Sequence, residues 1–249
     1  GLAALGFVLR RTTFASGATM VAAFLGGHWL YEKLYPIVGV RIAFPLTSLS
    51  DGLQFAGARL LWAACVLALT LPAWYATFGR RSGVPRRLAL GGGDWSVRTR
   101  DFSSKRPLES YTRMLFTGYL GFVVLLLLLA QAGVAFQPVR SGALFSMWPA
   151  VLLCAAANSA AEELIFRGIV QPTFIRVGGV AAGLWSQGAL FGLVHWGTSV
   201  GVLAALPMSL AIGLGSVVWG KAAFETRGLS WVIVAHALID VAVMAAYFV

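Results

Sequence analysis

Residues 141–161 carry no charged side chain, and neither do residues 12–31, 60–79 and 114–139. About 20 residues of α-helix cross the roughly 30 Å hydrocarbon core of a bilayer. In that medium every backbone polar group must be satisfied within the segment, which restricts a single span of this kind to a helix. These four runs are predicted membrane spans. Residues 177–220 also lack Lys, Arg, Asp and Glu and have room for two more, with a break near "GTSVG" and Pro207; residues 228–249 make a last span that holds His236 and Asp240. The expected fold class is therefore all-α, a polytopic transmembrane helix bundle of about seven spans, or eight if residues 36–55 add a re-entrant piece, with a polar site between the back helices. Composition agrees: 59% of residues are hydrophobic and 11% charged, with mean hydropathy +0.80, far from a soluble domain of this length.

The net charge of +10 lies mostly between the spans, so the tendency of basic loops to stay cytoplasmic explains it better than a nucleic-acid partner does. Residues 80–113 hold nine basic and three acidic residues. Placing them in the cytoplasm puts Arg10, Arg11, Arg167, Arg176, Lys221 and Arg227 on the same side and leaves Lys33, Arg41, Arg59 and Arg140 outside the scheme. The amino terminus is then expected in the cytoplasm, and the chain in a cell inner or plasma membrane. The basic loop also divides the chain into front helices with that loop, residues 1–113, and a back core, residues 114–249. Gly91–Gly93 lacks the Lys-Ser or Lys-Thr of a phosphate loop and reads as a flexible linker. No internal repeat suggests an inverted-repeat transporter. The spacing of Gly188 and Gly192, and of Gly197 and Gly201, suits close approach of helices. Cys65 and Cys154 fall inside predicted helices and read as small buried residues.

A charge at membrane depth costs at least about 2.5–3.5 kcal/mol, so such groups are usually paired and often functional. Here they cluster in the back half: Glu162, Glu163 and Arg167 on the fourth span, His195 on the fifth, His236 and Asp240 on the last. Glu163 and Arg167 are four apart and share a helix face, whereas Glu162 is turned by about 100°. Arg167 is expected to neutralise Glu163 and leave Glu162 available, with Asn158 continuing the stripe one turn earlier. His236 and Asp240 share a face in the same way, as do Phe191 and His195. About a hairpin turn at Gly178 and Gly179, Glu162 and His195 are level, each roughly 24 Å along its helix; His236 is roughly 12 Å past Gly228. The three meet only if the fourth helix runs on past Arg167 and the hairpin projects beyond the membrane surface. His28, beside Trp29 and Tyr31, reads as a hydrogen-bonded residue of an interfacial belt.

Three short motifs carry these residues: "EELIFRG", "FGLVH" and "HALID". In this order, on the fourth, fifth and last predicted spans, they resemble the EExxxR, FxxxH and HxxxN/D motifs of the CPBP family of intramembrane proteases, which includes CAAX prenyl endopeptidases and bacteriocin-processing and self-immunity proteins. The resemblance covers roughly residues 148–245. It implies an endopeptidase built of membrane helices around a water-filled cavity, a glutamic endopeptidase in which Glu162 with His195 activates the attacking water. Glu163 and Arg167 would support the site, and His236 with residue 240 would stabilise the oxyanion. Because an ionised Asp cannot donate a hydrogen bond, Asp240 must either stay protonated or orient His236; the second is the reading adopted here. No cofactor is expected. Glu162, His195 and His236 could instead hold a divalent metal, but Glu162 cannot easily be both ligand and base, and no HExxH helix is present. The expected partners are the lipid bilayer and a membrane-associated protein or peptide substrate. A non-catalytic scaffold or immunity protein and a proton-coupled transporter are the competing classes.

Overall fold

The structure, a computed structural model, describes residues 2–38, 49–78, 92–100, 107–113, 116–121, 124, 141–196 and 202–247. The described residues form an all-α bundle. Its elements are α1 (Leu2–Val38), α2 (Leu49–Phe78), a short antiparallel pair β1 (Arg98–Arg100) and β2 (Pro107–Ser110), α3 (Ser141–Ile165), a π-helical turn (Phe166–Val170), α4 (Gln171–Val194), α5 (Val202–Thr226) and α6 (Ser230–Tyr247). Among the described residues, three helical stretches are long and apolar enough to cross a membrane: 50–78, 148–194 and 206–226. The chain is an integral membrane protein.

Most predicted spans fall inside these helices, and the helices run further than the uncharged runs do. The third predicted span, 114–139, lies largely outside the described residues, although 116–121 within it are helical. The ends of the supposed re-entrant piece, 36–38 and 49–55, belong to α1 and α2, and the stretch between them lies outside the described residues. α2 begins well before its uncharged run, so Arg59 is inside the helix. The fifth and sixth spans are separate helices, with the "GTSVG" stretch outside the described residues and Pro207 inside α5.

The fourth helix does run past Arg167. It passes through the π-turn, where the N–H of Gln171 bonds to the carbonyl of Phe166, and continues as the first part of α4. Pro172 has no N–H for Gly168, so the α-helical ladder is already broken where the register widens. The chain reverses at Gly179, whose φ of 85° and ψ of 179° suit glycine almost alone. From Ser141 to that break the helical run measures about 57 Å, longer than a bilayer core is thick.

α3 is flanked by α2 on one side and α6 on the other; α1 packs on α2, and α4 pairs with α5. Small residues permit the close crossings. A Cβ on Gly52 would stand 2.7 Å from that of Ala150, and one on Gly188 would stand 2.8 Å from the carbonyl oxygen of Gly213. One on Gly192 would collide with the carbonyl oxygen of Ser209. Gly188 and Gly192 thus form the α4–α5 contact their spacing suggests; Gly197 and Gly201 lie outside the described residues. Beneath the polar residues, Phe24, Trp62, Val66, Ala161, Ile165, Phe166, Val170 and Phe191 make a continuous core. Cys65 and Cys154 are free and buried, as small apolar residues would be.

The glycine segment of the basic loop is not a free linker. Gly92 accepts hydrogen bonds from the N–H and hydroxyl of Ser230 at 3.2 and 3.0 Å, and Asp94 N–H donates to Thr226 at 2.8 Å. A Cβ on Gly228 would collide with the carbonyl of Gly92, so only glycine allows this approach. Trp95 donates to Ser230, and Trp231 donates to the Tyr111 carbonyl. The loop residues 92–97 and 111–113 therefore form a strap across the α5–α6 turn. At its exposed tip, the Ser96 hydroxyl and then its N–H hold the Asp94 carboxyl below its usual range.

Candidate active site

Glu162 and Glu163 lie on the last turns of α3 and Arg167 lies on the π-turn, all three buried. Arg167 Nη1 donates to Glu163 Oε1 at 2.8 Å, with both side chains fully buried. The predicted pair is present. The other arm of the guanidinium, Nη2, donates to Ser216 Oγ of α5 at 2.8 Å; Ser216 in turn donates to Gln187 Oε1 at 3.0 Å. The flat cation lies between aromatic faces, 4.6 Å from the Phe191 ring centre and 5.6 Å from that of Trp219, a placement that favours an arginine over any other cation.

α6 brings His236 onto the same carboxylates. Its Nδ1 is 2.8 Å from Glu163 Oε1, while Nε2 stands 3.7 Å from Glu162 Oε2 and 3.6 Å from Asp240 Oδ1. Three carboxylates thus surround one imidazole, and the bond that fixes its ring plane comes from Glu163. Asp240 stays outside hydrogen-bond distance of the ring and accepts from Asn158 Nδ2 at 2.9 Å. The meeting of Glu163 and His236 also answers the question of depth. Glu163 lies further from its turn at Gly178 than His236 does from Gly228, so the α3–α4 hairpin reaches about 10 Å beyond the α5–α6 turn.

Phe191 joins the fifth predicted span to the cluster. Its ring packs edge-on against Phe166 at 4.8 Å and lies 4.6 Å from the ring of His195 and 6.1 Å from that of His236. Since residue 191 sits against 166 and 167 on an antiparallel helix, one turn further along each helix sets 195 opposite 162 and 163. His195 Nδ1 is 2.7 Å from the Phe191 carbonyl oxygen. A carbonyl only accepts, so Nδ1 carries the proton and Nε2 is the basic nitrogen of the neutral ring.

One residue of the cluster comes from the front half. Arg59 Nη2 of α2 lies 3.2 Å from Glu162 Oε1, so Glu162 has a counter-charge. The expectation that Glu162 is left available is corrected for one of its oxygens, since Arg59 engages Oε1. Arg59 stood out in the sequence only as a cation beside an apolar run; Ser216, Gln187 and Trp219 gave no signal there, being uncharged residues in an uncharged segment. His28 is exposed and accepts from Trp62 Nε1 at 3.1 Å, which agrees with its reading as an interfacial residue. Among the described residues, Glu162 Oε2, Glu163 Oε2 and Asn158 Oδ1 are buried without a protein donor.

Residues 143–242 match the family model for Rce1-like type II CAAX prenyl endopeptidases. This match supports assignment of the segment to the CPBP family. The matched stretch contains all three motifs and every site residue named from the sequence, from Asn158 to Asp240. It leaves out Arg59. The family is one of CAAX-type intramembrane endopeptidases, and the fold and the buried carboxylate–histidine cluster suit such an activity in a membrane. No curated protein and no solved structure matches the chain.

Proposed function

We propose that the chain is an intramembrane endopeptidase that hydrolyses a peptide bond of a membrane-associated protein or peptide with a water molecule activated by Glu162. The observation that carries this reading is the divided carboxylate of Glu162: Oε1 is engaged by Arg59, while buried Oε2 has no protein donor among the described residues and faces His236 Nε2 at 3.7 Å. A buried carboxylate oxygen needs a donor, and a water molecule supplies one while losing its own proton to the same atom.

In this mechanism Glu162, with the basic Nε2 of His195 opposite, takes a proton from water as its oxygen bonds to the substrate carbonyl carbon. The carbonyl oxygen becomes an oxyanion. The imidazolium form of His236 has a donor on each ring nitrogen, so Nδ1 stays on Glu163 while Nε2–H is directed at the oxyanion. The C–N bond then breaks, the proton held by Glu162 passes to the leaving nitrogen, and the products are a carboxyl and an amine terminus. Glu163, Arg167 and Phe191 fix the rings and carboxylates, and Asn158 fixes Asp240.

The reaction as written needs no metal. A zinc-dependent version would use Glu162, His195 and His236, but among the described residues no three His, Cys, Asp or Glu side chains form a metal-holding group. Elemental analysis of the purified protein tests this, with less than stoichiometric metal in active protein as the expected result. The basic loop supports a cytoplasmic amino terminus in a cell inner or plasma membrane.

The decisive experiment compares peptide termini in membranes of cells carrying the wild-type chain or Glu162→Ala at matched abundance. A defined set of cleavage ends is expected to vanish in the variant, and their sequences reveal whether the substrate carries a CAAX tail. Unchanged termini beside a persisting loss-of-protein phenotype would favour a scaffold or a proton-coupled transporter.

A further inference from the structure

We propose that Arg59 is a positioning residue for the hydrolytic water, a part of the site supplied by α2 from outside the family segment; this rests on the protease reading above. Three observations point to it. First, an arginine in the middle of an apolar helix needs a partner, and its partner is the carboxylate assigned as base, at 3.2 Å across more than a hundred residues of chain. Second, the guanidinium is held in place: it lies 5.5 Å over the ring of Phe55 and 5.9 Å over that of Trp62, one turn before and after it on α2. Trp62 is itself fixed by its bond to His28 of α1. An α1–α2 lattice therefore ends on one oxygen of Glu162. Third, the geometry divides the labour between the two acidic neighbours. Arg167 occupies Glu163 and Arg59 occupies Glu162, each through Oε1.

By holding Oε1, Arg59 turns Oε2 toward His236 and opposes collapse of the carboxylate onto the imidazole. It is also about one-third exposed, whereas the Glu162 side chain is only 4% exposed. The arginine thus forms part of the wall between the base and the outside of the bundle.

The test uses the full chain in lipid nanodiscs with Arg59→Met, Arg59→Lys, Glu162→Gln and the double variant Arg59→Met/Glu162→Gln. Two readouts are taken: thermal stability, and cleavage of a farnesylated peptide with a CAAX tail. Arg59→Met is expected to lower Tm by about 5 °C or more, because it leaves a buried carboxylate without its cation. The double variant is expected to recover most of that loss, which shows coupling. For cleavage, Arg59→Met should cut kcat by about 100-fold, the scale for a displaced catalytic group, with KM unchanged and partial rescue by Arg59→Lys. An additive stability cycle, or an unaltered kcat, overturns the proposal. A raised KM with intact kcat also overturns it and makes Arg59 a substrate ligand. If the wild-type chain and Glu162→Gln leave the peptide equally uncut, the protease reading fails for this substrate class, and the stability cycle still decides whether Arg59 holds Glu162.

Discussion

At the residue scale, the cluster is a set of charges that exist only because each has a partner. Glu163 and Arg167 are fully buried and bonded to each other. Replacing one member strands the other in a low-dielectric interior, which typically costs about 3–5 kcal/mol. Arg167→Met is expected to lower stability on that scale and to reduce the yield of folded protein, read by thermal melting in detergent; Glu163→Ala should do the same and also release the His236 ring. Asp240 is different. Its carboxylate accepts from Asn158 and stands 3.6 Å from His236, and an asparagine there can still accept from Asn158 through its amide oxygen. Asp240→Asn is therefore expected to keep cleavage within a few-fold of wild type, in an assay of the substrate that the termini survey identifies. Loss of activity in that variant would show that the negative charge itself is required.

At the element scale, two backbone devices place these side chains. The π-turn at Phe166–Val170 begins three residues after Glu163, and all five of its residues are buried. The α4–α5 crossing depends on the absence of side chains at Gly188 and Gly192. Gly192→Leu would push Ser209 and the whole of α5 away, carrying Ser216 off Arg167. Overpacking of this kind usually costs about 1–3 kcal/mol, and here the loss is expected at the upper end, measured as a fall in Tm. The strap offers a second test. Ser230→Ala removes the hydroxyl that bonds both Trp95 and Gly92, and faster hydrogen exchange is expected at the start of α6, including the turn before His236. Unchanged exchange there would show that the strap does not brace the helix.

At the scale of the whole molecule, the division into residues 1–113 and 114–249 describes where the motifs are, while the packing crosses it. α2 lies along α3, with Gly52 against Ala150 and Cys154 donating to the Gly52 carbonyl at 3.5 Å. Strap residues from the front half cover the α5–α6 turn. A fragment beginning at residue 114 would leave both the α3 face and Glu162 without partners. Expressed alone it is expected to be degraded or aggregated, and co-expression with residues 1–113 as a separate chain is expected to restore folded protein, measured by monodisperse elution in detergent.

Much of this architecture was legible in the chain itself. Uncharged runs of membrane-spanning length force helices because lipid offers the backbone no hydrogen bonds. The spacing of four between Glu163 and Arg167 forces a shared face, and the glycine pair at 178 and 179 marks the reversal. These are local rules, fixed by the helix period and by which residues tolerate a given backbone angle. Contacts between distant segments obey no local rule. The choice of His236 by Glu163, the capture of Asp240 by Asn158, and the supply of Arg59 to Glu162 depend on which helix faces meet and at what depth. The same is true of Gly92 and Gly93, the described part of the glycine segment. Read alone it is a linker, and it becomes a strap because Gly228 leaves room for the backbone of Gly92. The sequence determined which residues must be helical and which charges needed partners; the tertiary structure decided the partners, because a buried charge is stabilised by whatever group the packing brings within a few ångströms.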